Sequence, residues 1–101
     1  MQIILIQQIN LKDIKNGFKQ IQKRINSNII PHKGDYIADM AWNETEKYEV
    51  AKVIINYQED YVQVWLKTIN LETNNKLVLE DYVKMTKLYG WVCDFLFIEN
   101  L

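Results

Sequence analysis

Few side chains in this 101-residue sequence could act as a nucleophile or a general base. There is one His, one Cys and one Ser, so a nucleophile and base pair could be built only from Ser27, His32 and Cys93. His32 follows Pro31 in a polar turn. Cys93 lies in an aromatic segment, where a cysteine usually packs as a small apolar side chain. The residue types predict no catalytic residues, and we expect a protein that is not an enzyme.

Metal and cofactor sites have equally little support in the sequence. A metal site would need to be built almost entirely from carboxylates, for example Asp35 and Asp39 with Glu46 or Glu49, a pattern that is also typical of an acidic solvent-exposed surface. The three glycines are isolated and form no phosphate-binding loop. We therefore expect no metal ion and no cofactor.

The single cysteine and the short apolar runs bear on the compartment. One cysteine forms no disulfide within the chain, which favours a reducing compartment. No apolar stretch approaches the roughly 18 to 20 residues that a membrane span requires. We expect a cytoplasmic protein, with a single domain over residues 1–101 and no membrane partner.

Charge is distributed unevenly along the chain, although the formal net charge is only −1. Residues 1–34 contain six Lys or Arg and one Asp, whereas residues 35–101 contain six Lys or Arg and twelve Asp or Glu. The sequence therefore predicts one basic and one acidic surface.

The basic surface is predicted on a helix over residues 11–26. Apolar residues recur there at intervals of three and four, as on one face of a helix: Leu11, Ile14, Phe18, Ile21 and Ile25. On a helical wheel of this segment, four lysines lie in one stripe beside the apolar face: Lys12, Lys15, Lys19 and Lys23. Such a stripe could bind nucleic acid, an anionic nucleotide or an acidic protein, or it could be only the solvated side of the helix.

The acidic surface is predicted on a three-stranded antiparallel meander over residues 35–67. Its candidate binding residues are carboxylates and aromatic side chains: Asp35, Tyr36, Asp39, Trp42, Glu59, Asp60, Tyr61 and Trp65. If Val62 and Val64 face the core, strand alternation points Tyr61 and Trp65 outward. Exposed Tyr and Trp among carboxylates are typical of protein interfaces, although a second layer or a dimer partner could also cover them.

The predicted fold class is α+β. Residues 3–9 form a β-branched strand, residues 80–89 a short second helix, and residues 91–98 a last strand, with a hairpin turn at Asn74 and Asn75. Period-two alternation over residues 48–57 changes parity near Val50, which indicates a strand buried on both faces or a β-bulge. We expect an antiparallel sheet of five to six strands with the 11–26 helix packed on it. A small SH3-like barrel is the alternative.

One pattern of turns and strands resembles a known group of proteins. It consists of Pro31-x-x-Gly34-Asp35-x-Ile37, then Tyr48-x-Val50, then Val62-x-Val64-x-Leu66. This layout resembles small barrel-like accessory proteins of phages and mobile elements. The resemblance implies a barrel-like fold and a role of the anti-defence inhibitor type.

These features favour a small, non-enzymatic binding protein that acts by occlusion or sequestration. The function expected first is that of a phage or mobile-element inhibitor of a host defence enzyme, with a protein as partner. Two alternatives stay open. One is a nucleic-acid-binding module that uses the basic helix 11–26, and the other is a nucleotide or metabolite sponge formed at a homodimer interface.

Overall fold

The computed structural model describes residues 1–14, 17–42 and 46–93. Within these ranges it contains six strands and one helix: β1 (Gln2–Asn10), β2 (Phe18–Asn26), β3 (Tyr36–Ile37), β4 (Tyr48–Asn56), β5 (Tyr61–Leu66), β6 (Ile69–Asn70) and α1 (Lys76–Lys87). The strands form one mixed sheet, curled into a half-barrel, with α1 packed against it. The expected combination of a five- to six-stranded sheet and a helix is confirmed.

The strand order is β2-β1-β5-β4-β3, and β6 lies beside the end of β1. β1 pairs antiparallel with β2 but parallel with β5 and β6. The expectation of a purely antiparallel sheet is therefore wrong. Local alternation does not reveal this, because a parallel pair needs a long crossover connection and its two strands are far apart in sequence.

The predicted meander over residues 35–67 is present, with β4 antiparallel to both β3 and β5. The register between β4 and β5 shifts between Val50 and Lys52, which confirms the β-bulge among the two readings of this segment. The alternation of Tyr36, Ala38, Met40 and Trp42 predicts a first strand that reaches Trp42, but β3 has only two residues. It ends at Ile37, after which the chain carries Trp42 into the core.

The predicted helix over residues 11–26 is wrong, because Phe18–Asn26 is the strand β2. All nine residues of β2 pair with β1, from Phe18 opposite Asn10 to Asn26 opposite Gln2. A helix would leave this edge of β1 without backbone hydrogen bonds. The spacing of four between Ile21 and Ile25 is also compatible with a strand, because alternation places both on the same face. Ile21 is buried there, whereas Ile25 is 37% exposed at the strand end.

The helix that the structure contains is α1, which begins four residues before the predicted helix over residues 80–89. Asn75 caps it, because its side chain accepts a hydrogen bond of 2.9 Å from the Leu77 N–H. The predicted hairpin turn at Asn74 and Asn75 is therefore wrong. Of the predicted last strand, Val92 forms an isolated antiparallel bridge with Gln22, and residues 94–98 lie outside the described residues.

The core lies between the sheet and α1. Strands β1, β2, β4 and β5 contribute alternate side chains to it, and α1 contributes Leu79 and Val83. Trp42 and Trp91 come from the connecting segments, with ring centroids 5.7 Å apart. One face of the sheet is thus covered by the helix and the connecting segments.

Gly17 lies buried before β2 and distinguishes the strand from the predicted helix. Within a helix, Gly17→Ala would stabilise the protein by up to about 1 kcal/mol. In the structure, a Cβ at this position would lie 2.7 Å from Cδ1 of the buried Leu11 and 3.0 Å from Cγ2 of Ile14. We expect Gly17→Ala to lower the free energy of unfolding by about 1–3 kcal/mol, measured by urea denaturation. A stabilised variant would contradict this packing.

Candidate functional site

Each of the three residues that could form a catalytic pair, Ser27, His32 and Cys93, makes local structural contacts. The backbone N–H of His32 donates to Asp35 Oδ2 over 2.8 Å. The imidazole Nδ1 of His32 lies 3.6 Å from the same oxygen, in an exposed turn. Ser27 Oγ accepts a hydrogen bond of 3.0 Å from the Ile29 N–H. Cys93 is half-buried and packs against the core. In the described residues, no group of three or more His, Cys, Asp or Glu could hold a metal ion.

The predicted lysine stripe does not form on the described residues, because its helix is absent. Lys12 is exposed in the segment after β1, and Lys15 lies outside the described residues. Lys19 and Lys23 are on β2, on the face that carries Ile21. Lys19 is only 8% exposed, and Lys23 is bound to a carboxylate. The three described lysines of the stripe do not form a continuous cationic surface.

Lys23, Asp39 and Trp91 form a cluster that joins three distant segments. Lys23 Nζ lies 2.7 Å from Asp39 Oδ1, while Trp91 Nε1 and the Ala41 N–H each donate to Asp39 Oδ2 over 3.0 Å. Burial alone raises the pKa of the Asp39 carboxyl, but the three donors outweigh it and hold the pKa below its usual 3.8. Asp39 therefore has a structural role here.

Trp42 belongs to the core as well, and only 5% of it is exposed. Its ring meets that of Tyr48 edge-on at a centroid distance of 4.7 Å. Burial beside Tyr48 and Glu46 raises the pKa of the neighbouring Tyr82 hydroxyl. Trp42 is thus an anchor for the chain between β3 and β4, with little surface for a partner.

The structure divides the predicted acidic and aromatic residues among three places. Asp39 and Trp42 are in the core region, and Asp35 and Tyr36 are exposed around β3, where the Tyr36 hydroxyl donates to Glu49 Oε1 over 3.3 Å. The remaining four are at or near β5. Glu59 and Asp60 precede the strand, and Tyr61 and Trp65 point away from the buried Val62 and Val64.

Tyr61 and Trp65 lie on the face of the sheet opposite the core, which we call the open face. The register aligns its side chains in two central rows across β2, β1, β5 and β4: Arg24, Ile4, Gln63 and Ile54 in one, and Gln22, Ile6, Trp65 and Lys52 in the other. Gln2 and Tyr61 lie in the adjacent row. None of the described elements packs over these residues, since α1 and Trp42 are on the core face.

The open face contains a depression of about 400 Å³. Ten residues from β1, β2, β5 and the turn before β5 line it: Gln2, Ile4, Ile6, Gln20, Gln22, Arg24, Glu59, Tyr61, Gln63 and Trp65. Ile4 and Ile6 are only 8% and 6% exposed, because the longer side chains around them form its walls. The result is an apolar floor with polar walls.

The polar groups of the depression are available for a ligand. The carboxamides of Gln20, Gln22 and Gln63 are half-buried and make no hydrogen bond to the described residues. Arg24 Nη1 makes one long contact of 3.4 Å, to Gln2 Oε1. Lys52 Nζ stacks 4.6 Å from the centroid of the Trp65 ring. The open face thus combines neutral donors and acceptors, two aromatic rings and two cations, of which Arg24 lines the depression and Lys52 lies beside Trp65.

Reading residues 18–26 as a helix concealed half of this site. Gln20, Gln22 and Arg24 share a face only when this segment is a strand. Their alternation with Ile21 was the available signal, and so was the position of Gln63 between the outward-pointing Tyr61 and Trp65.

Comparison with protein-family models, curated proteins and solved structures finds no match to this chain. Among the described residues, no helix is long and apolar enough to cross a membrane.

The buried carboxylate leads to a prediction about acid stability. Because folding lowers the pKa of Asp39, its ionised form stabilises the native state above pH 3.8, and this contribution is lost as the pH falls through the folded-state pKa. We expect Asp39→Asn to lower the free energy of unfolding at pH 7 by about 1.5–3 kcal/mol. The variant should also lose stability less steeply below pH 4. Urea denaturation between pH 3 and 7 measures both effects.

Asp81→Asn is the matched control, since Asp81 is exposed on α1. Equal stability losses in the two variants, or an unchanged acid profile in Asp39→Asn, would contradict the role of the cluster.

Proposed function

We propose that this chain is a small non-enzymatic binding protein that captures a protein partner on its open face and acts by occluding that partner. The observation that supports this most directly is the depression around Trp65. It combines an apolar floor with half-buried carboxamides that lack partners among the described residues. A face of this kind can bury apolar surface and form hydrogen bonds in one contact.

The residue types of the open face support a protein partner. Trp, Tyr and Arg are enriched among the residues that contribute most to protein–protein binding, and Trp65, Tyr61 and Arg24 all line the depression. Glutamine carboxamides donate and accept hydrogen bonds, as peptide groups of a partner do. Occlusion needs nothing more than a stable contact that covers a working surface of the partner.

The alternative of a nucleic-acid-binding module depended on the basic helix 11–26, which the structure replaces with a strand. Of the four lysines of the stripe, Lys19 is buried and Lys23 is paired with Asp39. The open face has Arg24 and Lys52 as cations, with Glu59 at its rim. A nucleic acid would bring one negative charge with each nucleotide, so this face favours a protein.

The biological setting is proposed on the resemblance described above. A cytoplasmic inhibitor of a host defence enzyme, of the phage or mobile-element type, needs a compact fold, no catalytic residues and one contact surface. The open face supplies such a surface.

Photo-crosslinking tests the proposed function. With p-benzoylphenylalanine in place of Gln63, irradiation in a nuclease-treated bacterial lysate should give one dominant protein adduct, identified by mass spectrometry. Trp65→Ala should reduce this adduct at least about tenfold, as expected for loss of a central interface side chain. Arg24→Ala provides a second variant that leaves the core unchanged, because Arg24 is exposed.

The control places the same crosslinker at Lys33, which is exposed in a turn outside the open face. Tyr57→Ala serves as the aromatic control, since Tyr57 is 80% exposed and does not line the depression. The same adduct from Lys33, or equal adduct yields in the Trp65 and Tyr57 variants, would overturn the proposal.

A further inference from the structure

We infer that the open face binds an extended, acidic segment of its partner, in which one large apolar side chain is flanked by carboxylates. This inference rests on the proposed function and names the chemistry of the partner. It depends on three features of the open face: the separation of its two cations, the apolar floor between them, and the carboxamides beside that floor.

The two cations lie on opposite sides of the open face. Arg24 is on β2 and Lys52 is on β4, with β1 and β5 between them. Their rows are adjacent in the register. Three interstrand spacings and one two-residue step separate their Cα atoms by about 15 Å. Side chains at positions i and i+4 of an extended peptide point to the same side about 14 Å apart, so two carboxylates at this spacing reach both cations.

The floor between the cations accommodates an apolar side chain. Ile4 and Ile6 lie between Arg24 and Lys52 across the sheet, and the Trp65 ring stands beside Ile6. A peptide that crosses the strands with carboxylates at i and i+4 places its residue i+2 over this floor. Because Lys52 Nζ already stacks on the Trp65 ring, a carboxylate that binds Lys52 brings the peptide next to that ring.

The carboxamides meet the backbone of such a segment. Gln22 and Gln63 are in the two central rows, and each carries one acceptor and two donors without a partner among the described residues. An extended peptide has alternate N–H and C=O groups along both sides, which these side chains can bind. Glu59 lies at the Tyr61 end of the depression and repels carboxylates there. The acidic segment is therefore directed to the two rows that contain Arg24 and Lys52.

A single-stranded nucleic acid fits this face less well. Bases could stack on Tyr61 and Trp65, but each nucleotide adds a phosphate and the open face has two cations about 15 Å apart. Glu59 adds repulsion beside Tyr61. Two carboxylates match two cations, whereas a run of phosphates leaves most of its charges unpaired.

The test uses two matched peptides and the folded, isotopically labelled protein. The acidic probe is the capped pentapeptide Glu-Ala-Trp-Ala-Glu, and its basic counterpart is Lys-Ala-Trp-Ala-Lys. In NMR titrations the acidic probe should shift the backbone amides of Ile4, Gln22, Gln63 and Trp65. It should bind roughly tenfold more tightly than the basic probe, because each exposed charge pair contributes about threefold.

Charge variants distinguish specific recognition of the acidic probe from non-specific peptide binding. The double variant Arg24→Ala, Lys52→Ala should abolish the preference for the acidic probe, whereas Lys33→Ala, Lys47→Ala should retain it. Lys47 is a close control for Lys52, because its Nζ lies 5.7 Å from the centroid of the Tyr36 ring. Glu59→Gln should tighten binding of the acidic probe about twofold to threefold by removing a repulsive charge.

The outcomes separate the inference from the proposed function. Equal binding of both peptides at the open face would overturn the inference that the partner segment is acidic. The proposal that the open face binds a protein would still stand. No shifts at the open face with either peptide would overturn the inference, and the crosslinking at Gln63 would then decide the proposed function independently. Tighter binding of oligo(dT) than of the acidic peptide, with a steep salt dependence, would overturn both in favour of nucleic acid.

Discussion

The pairing of β1 on both of its edges is the constraint on which the rest of the structure depends. β2 occupies one edge over nine residues, while β5 and β6 share the other edge. Ile3, Leu5 and Ile9 face the core, and Ile4 and Ile6 form the floor of the open face. A β-branched strand buried on both faces must be central in its sheet, so the positions of its neighbours follow from it.

Sequence reasoning succeeded where the interactions are local and failed where they are not. The alternation of Val62 and Val64 identified β5, and the change of parity near Val50 indicated the bulge. The segment around Ile21 satisfied the helical period and the strand period at once, and pairing with β1 decided between them. Gly17, an unfavourable residue inside a helix, was the local sign that favoured the strand.

The candidate site could be predicted only in part for the same reason. Tyr61 and Trp65 followed from strand alternation once Val62 and Val64 were placed in the core. Asp39 and Trp42 were misassigned, because the strand ends at Ile37 and alternation has no meaning beyond it. Charge counts emphasised four lysines, of which the fold buries Lys19 and pairs Lys23 with Asp39. Glutamines have no charge and no reactivity, so this group becomes visible only when β1, β2 and β5 bring its members together.

The parallel pairing of β1 with β5 has a consequence for the order of events during synthesis. Ile3 pairs with Val62, 59 positions later in the chain, so the second edge of β1 stays open until β5 has emerged from the ribosome. β1 and β2 can pair early as a hairpin, which protects one edge of an apolar strand that would otherwise be prone to aggregation. The floor and the aromatic wall of the open face come together only after β5 has been synthesised. A nascent chain therefore cannot present the complete open face before β5 has paired with β1.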